Sequence, residues 1–119
     1  MTNQEIANRL HVLVKAGEYF TAYDELFHEN AVALEPQLAE MGLAEVEGLP
    51  AIKEKVGTLS QGISEMISRE MSAPIVTDSH IAFTNVVKAK MKDGNAFNLS
   101  EICLYKLENG KIVSEEFIY

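Results

Sequence analysis

The chain has 119 residues, 47% of them hydrophobic, with 18 acidic and 10 basic side chains and a formal net charge of −8. One domain of this length buries roughly 65% of its unfolded surface, enough for a core without covalent staples. The acidic balance excludes an electrostatic nucleic-acid binder, which needs cationic surface to displace counterions. No stretch approaches the roughly 20 apolar residues of a membrane span. Cys103 is the only cysteine, which excludes an internal disulfide and a thiolate metal cluster. Met1–Glu5 lacks the positive charge and apolar run of a signal peptide, so the expectation is a cytoplasmic protein. Lys88, Lys90 and Lys92 alternate with Ala89 and Met91 and read as one solvated strand face.

Thr2 and Glu5 form a capping box, which starts a first helix. Ile6, Leu10, Leu13 and Val14 give it an apolar stripe, and Gly17 stops it. A second helix follows at about 18–27, with Phe20, Tyr23 and Phe27 along one side. A short strand is expected over 31–35, ended by Pro36. Residues 37–47 read as a loop or broken helical turn, apolar enough to fold over a pocket or pack on a partner. Gly48-Leu49-Pro50 opens a third helix, whose inner face carries Ile52, Val56, Leu59 and Ile63.

The remaining residues punctuate themselves at Thr77-Asp78-Ser79, Asp93-Gly94 and Asn109-Gly110. Those turn signals predict an antiparallel meander with strands near 64–76, 80–91, 95–107 and 111–119. Ile81, Phe83, Asn85, Val87 and Ala89 share one face by alternation. So do Phe97, Leu99, Glu101, Cys103, Tyr105 and Leu107. The opposite faces are not wholly polar, and a second copy of the chain is the simplest cover for them. The predicted fold is α+β: one domain over 1–119, in which three N-terminal helices pack on a strongly curved antiparallel sheet in the order ααβαββββ.

That order resembles the nuclear transport factor 2-like superfamily, and its SnoaL-like group in particular. Lys15-Ala16-Gly17-Glu18 resembles that group's helix break, and Leu26-Phe27-His28-Glu29-Asn30-Ala31-Val32 its entry to the first strand. Glu47-Gly48-Leu49-Pro50-Ala51-Ile52 resembles the start of its third helix, and Asn109-Gly110-Lys111-Ile112-Val113 its last hairpin. The resemblance implies a cone-shaped roll around a cup for a small molecule. It specifies no reaction, because a fold does not fix a function.

Within that resemblance Glu35 stands where ketosteroid isomerases carry a general-base aspartate, also followed by proline. Ala31 and Ala33 share its side of the strand and leave room for a ligand. In an apolar cup, desolvation makes such a carboxylate a better base; at a strand end in water it does nothing. The isomerase's helix-one tyrosine corresponds to Leu10 here, which is a departure. Its second acid falls near Glu101 or Ile102. Glu101 is either a neutral hydrogen-bond donor in the cup or a surface carboxylate.

The expected pocket is lined by Leu10, Val14, Tyr19, Tyr23, Phe27, Val56, Phe83, Asn85 and Phe117. His11 reaches the pocket edge or is otherwise satisfied, while His28 and His80 face solvent. No histidine spacing suits a metal, so neither metal nor cofactor is expected. The functional expectation is a cofactor-free isomerase, cyclase or dehydratase acting on a small apolar or amphipathic molecule. Its catalytic candidates are Glu35 and Glu101, and it forms a homodimer through the sheet face. The alternative is a non-catalytic ligand carrier or a protein-interaction module.

Overall fold

A computed structural model describes residues 1–119. Helix α1 spans Asn3–Lys15, α2 Tyr19–Leu26 and α3 Leu49–Ser60. The strands are β1 Phe27–Leu34, β2 Glu45–Glu47, β3 Ile63–Met71, β4 Ile75–Val76, β5 His80–Met91, β6 Ala96–Glu108 and β7 Lys111–Ile118. No helix is long and apolar enough to cross a membrane.

Local chemistry accounts for the helix ends. Thr2 and Glu5 satisfy each other's backbone N–H groups, at 3.1 and 2.8 Å. At the far end of α1 Gly17 takes a φ of 75°, which only glycine adopts freely. The Glu18 N–H then reaches the Leu13 carbonyl at 2.9 Å and the Gly17 N–H the Val14 carbonyl at 3.0 Å. That paired closure reverses the chain, so α2 folds back against α1. Gly57, inside α3, meets nothing within 4 Å of where a Cβ would stand, so helix packing does not require it.

The sheet runs β2-β1-β7-β6-β5-β3, with β4 also on β5. It is mixed: β1 pairs parallel to β7, where a wholly antiparallel sheet was expected. The turn signals govern only neighbours in sequence, and β1 reaches β7 across the whole meander. The expected strand over 64–76 breaks into β3 and β4 around Pro74, which lacks the N–H that a continuous ladder would use. The first strand starts at Phe27 rather than Ala31 and stops at Leu34. Glu35 therefore lies just past it, capping a 3-10 helix at Pro36–Met41. The remainder of the 37–47 segment supplies β2, paired antiparallel to β1.

Irregular registers in β3, between Lys106 and Leu107, and between Phe27 and Val32 let the long strands bend. The concave side receives Ile81, Phe83, Val87, Ala89, Cys103, Tyr105 and Leu107, all buried. Ile6, Leu10 and Leu13 of α1 and Ile52 of α3 form one core with Ile81, Phe83, Cys103, Tyr105 and Leu107.

Candidate functional site

Between that concave face and the three helices lies a cavity of about 550 Å³. The volume is in the range of small-molecule sites. Leu10, Val14, Tyr19, Tyr23, Phe27, Val56, Asn85 and Phe117 stand on its wall, together with Glu35 and Glu101. Phe83 does not. Its ring lies in the packed core, edge-on to His11 at 5.5 Å and against Tyr105 at 5.6 Å. Alternation placed Phe83 on the correct face but could not say that α1 covers that part of it. His11 is likewise absent from the wall, with Nε2 2.9 Å from the Ser72 carbonyl. Exposed His28 accepts the Asn30 N–H at 3.0 Å, and half-buried His80 lies 2.7 Å from the Ser79 hydroxyl. No three histidine, cysteine or carboxylate side chains converge as metal ligands would.

Three polar groups line the cavity. In the first, Glu35 is only 8% exposed, although it follows the end of a strand. Its Oε1 lies 2.8 Å from Lys55 Nζ, and its Oε2 accepts the Tyr119 hydroxyl at 2.6 Å. Lys55 comes from α3 and is 4% exposed. Its ammonium also sits 5.8 Å from the centre of the Phe117 ring. Its approach to Glu35 is close enough for an ion pair but lacks hydrogen-bond direction. Burial, then the neighbouring Glu35 carboxylate, pushes the Tyr119 hydroxyl up.

The second group centres on Glu115, 2% exposed and directly opposite Tyr105 on β6 and Ala33 on β1. Oε1 accepts the Tyr23 hydroxyl at 3.0 Å. Burial pushes its carboxyl from 4.5 up to about 7, against the lowering effects of the Tyr23 bond and the Lys55 charge. The Tyr23 and Tyr105 hydroxyls are pushed up by burial too.

The third group follows from strand register. Asn85 on β5 lies directly opposite Glu101 on β6. The amide Nδ2 donates to Glu101 Oε1 at 3.0 Å, and the Cys103 thiol donates to the same oxygen at 3.5 Å. Burial raises the Glu101 carboxyl, opposed by those two bonds. Burial raises the Cys103 thiol as well, which leaves it an inert neutral group. Arg69 of β3 completes this side. Its guanidinium donates to the Val14 carbonyl and the Tyr19 hydroxyl, tying the end of α1 and the start of α2 to the sheet.

Sequence reasoning missed Lys55, Arg69, Glu115 and Tyr119. Partial signals existed for three of them. Lys55 follows Ile52 by three residues and so shares its helix face. Glu115 and Tyr119 are two residues either side of Phe117 and so share its strand face. Arg69 had no signal, because an irregular register between Met66 and Ser68 resets the alternation of β3.

The family model of the SnoaL-like domain matches residues 1–119. Among solved structures, a SnoaL-like protein of Mesorhizobium loti superposes with a TM-score of 0.86 at 24% identity, covering 100% of both chains. TerC, crystallised with polyporic acid, superposes at 0.79 with 15% identity, over 98% of this chain and 90% of its own. A Xanthomonas campestris protein of unknown function with a cystatin-like fold gives 0.78 at 16% identity, over 99% and 90%. At these identities the likeness is one of fold. No curated protein matches the chain in sequence.

Proposed function

Because this chain belongs to the SnoaL-like family over residues 1–119, we propose that it is a cofactor-free acid/base enzyme acting on an apolar carbonyl compound held in the cavity. The observation that carries this reading is the Glu35 carboxylate on an apolar wall, flanked by the donors Lys55 and Tyr119. Proton abstraction beside a carbonyl needs both parts. The base takes the proton from carbon, and the C–H electron pair moves into an enolate whose oxygen must meet donors. Glu35 is the base in this scheme. Lys55 Nζ, which spends no directed hydrogen bond on Glu35, is free to donate to the oxygen. Returning the proton at another carbon isomerises the substrate. Attack of the enolate carbon on a second carbonyl cyclises it, and loss of a β-hydroxyl dehydrates it. Glu101 is the second acid of this proposal.

The test uses β-tetralone, an apolar and readily enolised ketone, in heavy water. The protein is expected to speed exchange of its α-hydrogens above the buffer rate, as followed by proton NMR. Glu35→Gln is expected to lose roughly 10²- to 10⁴-fold of that acceleration, and Glu35→Asp to retain part of it. Exchange at the buffer rate with the folded protein, or equal rates for Glu35→Gln and the native chain, would overturn the proposal.

The assembly reading is a homodimer through the convex sheet face, at work in the cytoplasm. Ile102 and Ile118 are paired across β6 and β7 on that face and are 46% and 43% exposed. Ile75, 69% exposed, lies across from Ala82 on the same side. Ile102→Lys is expected to convert a dimer to a monomer by sedimentation. A native monomer at micromolar concentration would exclude this reading.

A further inference from the structure

Three buried side-chain polar atoms in the whole chain have no hydrogen-bond partner: Lys55 Nζ, Arg69 Nε and Asn85 Oδ1. All three belong to residues on the cavity wall. Unpartnered buried polar atoms are few in folded proteins, and each costs stability relative to a satisfied one. Their confinement to one cavity is the pattern left by a site whose ligand supplies the missing partners. Lys55 already serves the proposed chemistry. The unpartnered atoms of Arg69 and Asn85 have no part in it.

These two lie close together. Arg69 is directly opposite Val87 in the β3–β5 pair, and Asn85 is two residues further along β5 on the same inward face. Such diagonal neighbours are roughly 7–8 Å apart. Arg69 spends its two terminal nitrogens on Val14 and Tyr19 and keeps the Nε–H. Asn85 spends its amide N–H on Glu101 and keeps the carbonyl oxygen. Asn85 is 5% exposed, so bulk water does not replace the lost partner. One atom is a donor and the other an acceptor, so a purely apolar ligand satisfies neither.

We infer that the cavity selects hydroxylated ketones: a ketone oxygen of the ligand accepts from Arg69 Nε–H, and a ligand hydroxyl donates to Asn85 Oδ1. The apolar body of the molecule lies against Val87, Leu99 and Val56, which share the wall. This inference rests on the reading of the cavity as a ligand site.

The test is a binding ladder of four bicyclic probes of nearly one shape, measured by titration calorimetry with the full chain. Tetralin carries no polar group, α-tetralone a ketone and tetrahydronaphthol a hydroxyl. The hydroxy-α-tetralones carry both and are used as a set of positional isomers. At least one isomer is expected to bind about tenfold more tightly than either singly substituted probe, the worth of one directed hydrogen bond. Asn85→Leu is expected to remove the advantage of the hydroxyl and spare that of the ketone. Arg69→Met is expected to do the reverse. Arg69 also ties α1 to the sheet, so the native ladder stands as evidence even where that variant does not fold. Equal affinity for all four probes would overturn the inference, and so would variants that weaken all four alike. The β-tetralone exchange experiment can fail or succeed independently, which separates this inference from the proposed reaction. Failure of every probe to bind would overturn this inference, and the exchange experiment would still decide the reaction.

Discussion

Glu35 and Glu115 face the same cavity from opposite circumstances. Glu35 is 8% exposed and Glu115 2%, so both are out of water. Glu35 has an ammonium at 2.8 Å and a phenol at 2.6 Å. Glu115 has a single phenol at 3.0 Å and is pushed up to about 7. Burial alone does not decide what a carboxyl group does; the partners that the fold supplies do. Glu35 has both an ammonium and a phenol within bonding distance. Burial outweighs the Tyr23 bond and the Lys55 charge at Glu115 and leaves it near half-protonation at neutral pH.

The largest effect that would test this contrast comes from removing the cation. Lys55→Met strands Glu35 as a buried charge and is expected to cost about 3–5 kcal/mol in chemical denaturation. Combining it with Glu35→Leu is expected to recover most of that loss, because a matched apolar pair needs no partner. A double variant as unstable as the single one would show that Lys55 acts by packing instead.

Next in size is the pH dependence of Glu115. The unfolded chain releases this proton near pH 4.5 and the folded chain at about 7. The folded state therefore holds a proton that the unfolded state has lost. That contribution to stability is complete below pH 4.5 and fades as pH rises through 7, by on the order of 3 kcal/mol at most. Glu101, raised by burial too, adds with the same sign. Glu115→Gln is expected to flatten most of the fall between pH 5 and 8, measured by denaturant melts at each pH. An unchanged slope would assign the titration to another group.

The smallest expected effect is that of Tyr23→Phe, which deletes the hydrogen bond to the Glu115 carboxyl group and costs about 1–2 kcal/mol. Because that bond lowers the Glu115 carboxyl, its removal moves the midpoint to higher pH. Carbon NMR of the carboxyl reads this directly, and a midpoint moving down would contradict it.

Several parts of this molecule needed nothing beyond the order of its residues. The capping box of Thr2 and Glu5, the Gly17 closure and the Asn109-Gly110 turn are contacts within a few positions, and short-range chemistry writes them into the sequence. Alternation likewise grouped Asn85 with Phe83 and Val87, and Glu101 with Cys103 and Tyr105, because side-chain period two holds along any regular strand; that Glu101 faces inward was decided by the structure. Tertiary structure alone decided the rest. That β1 joins β7 in parallel, that an irregular register turns Arg69 into the cavity wall, and that Lys55 meets Glu35 are events between segments well separated along the chain. Periodicity carries no information about such partners. Electrostatic pairing over a few ångströms exists only once the sheet has curved and α3 has closed over it.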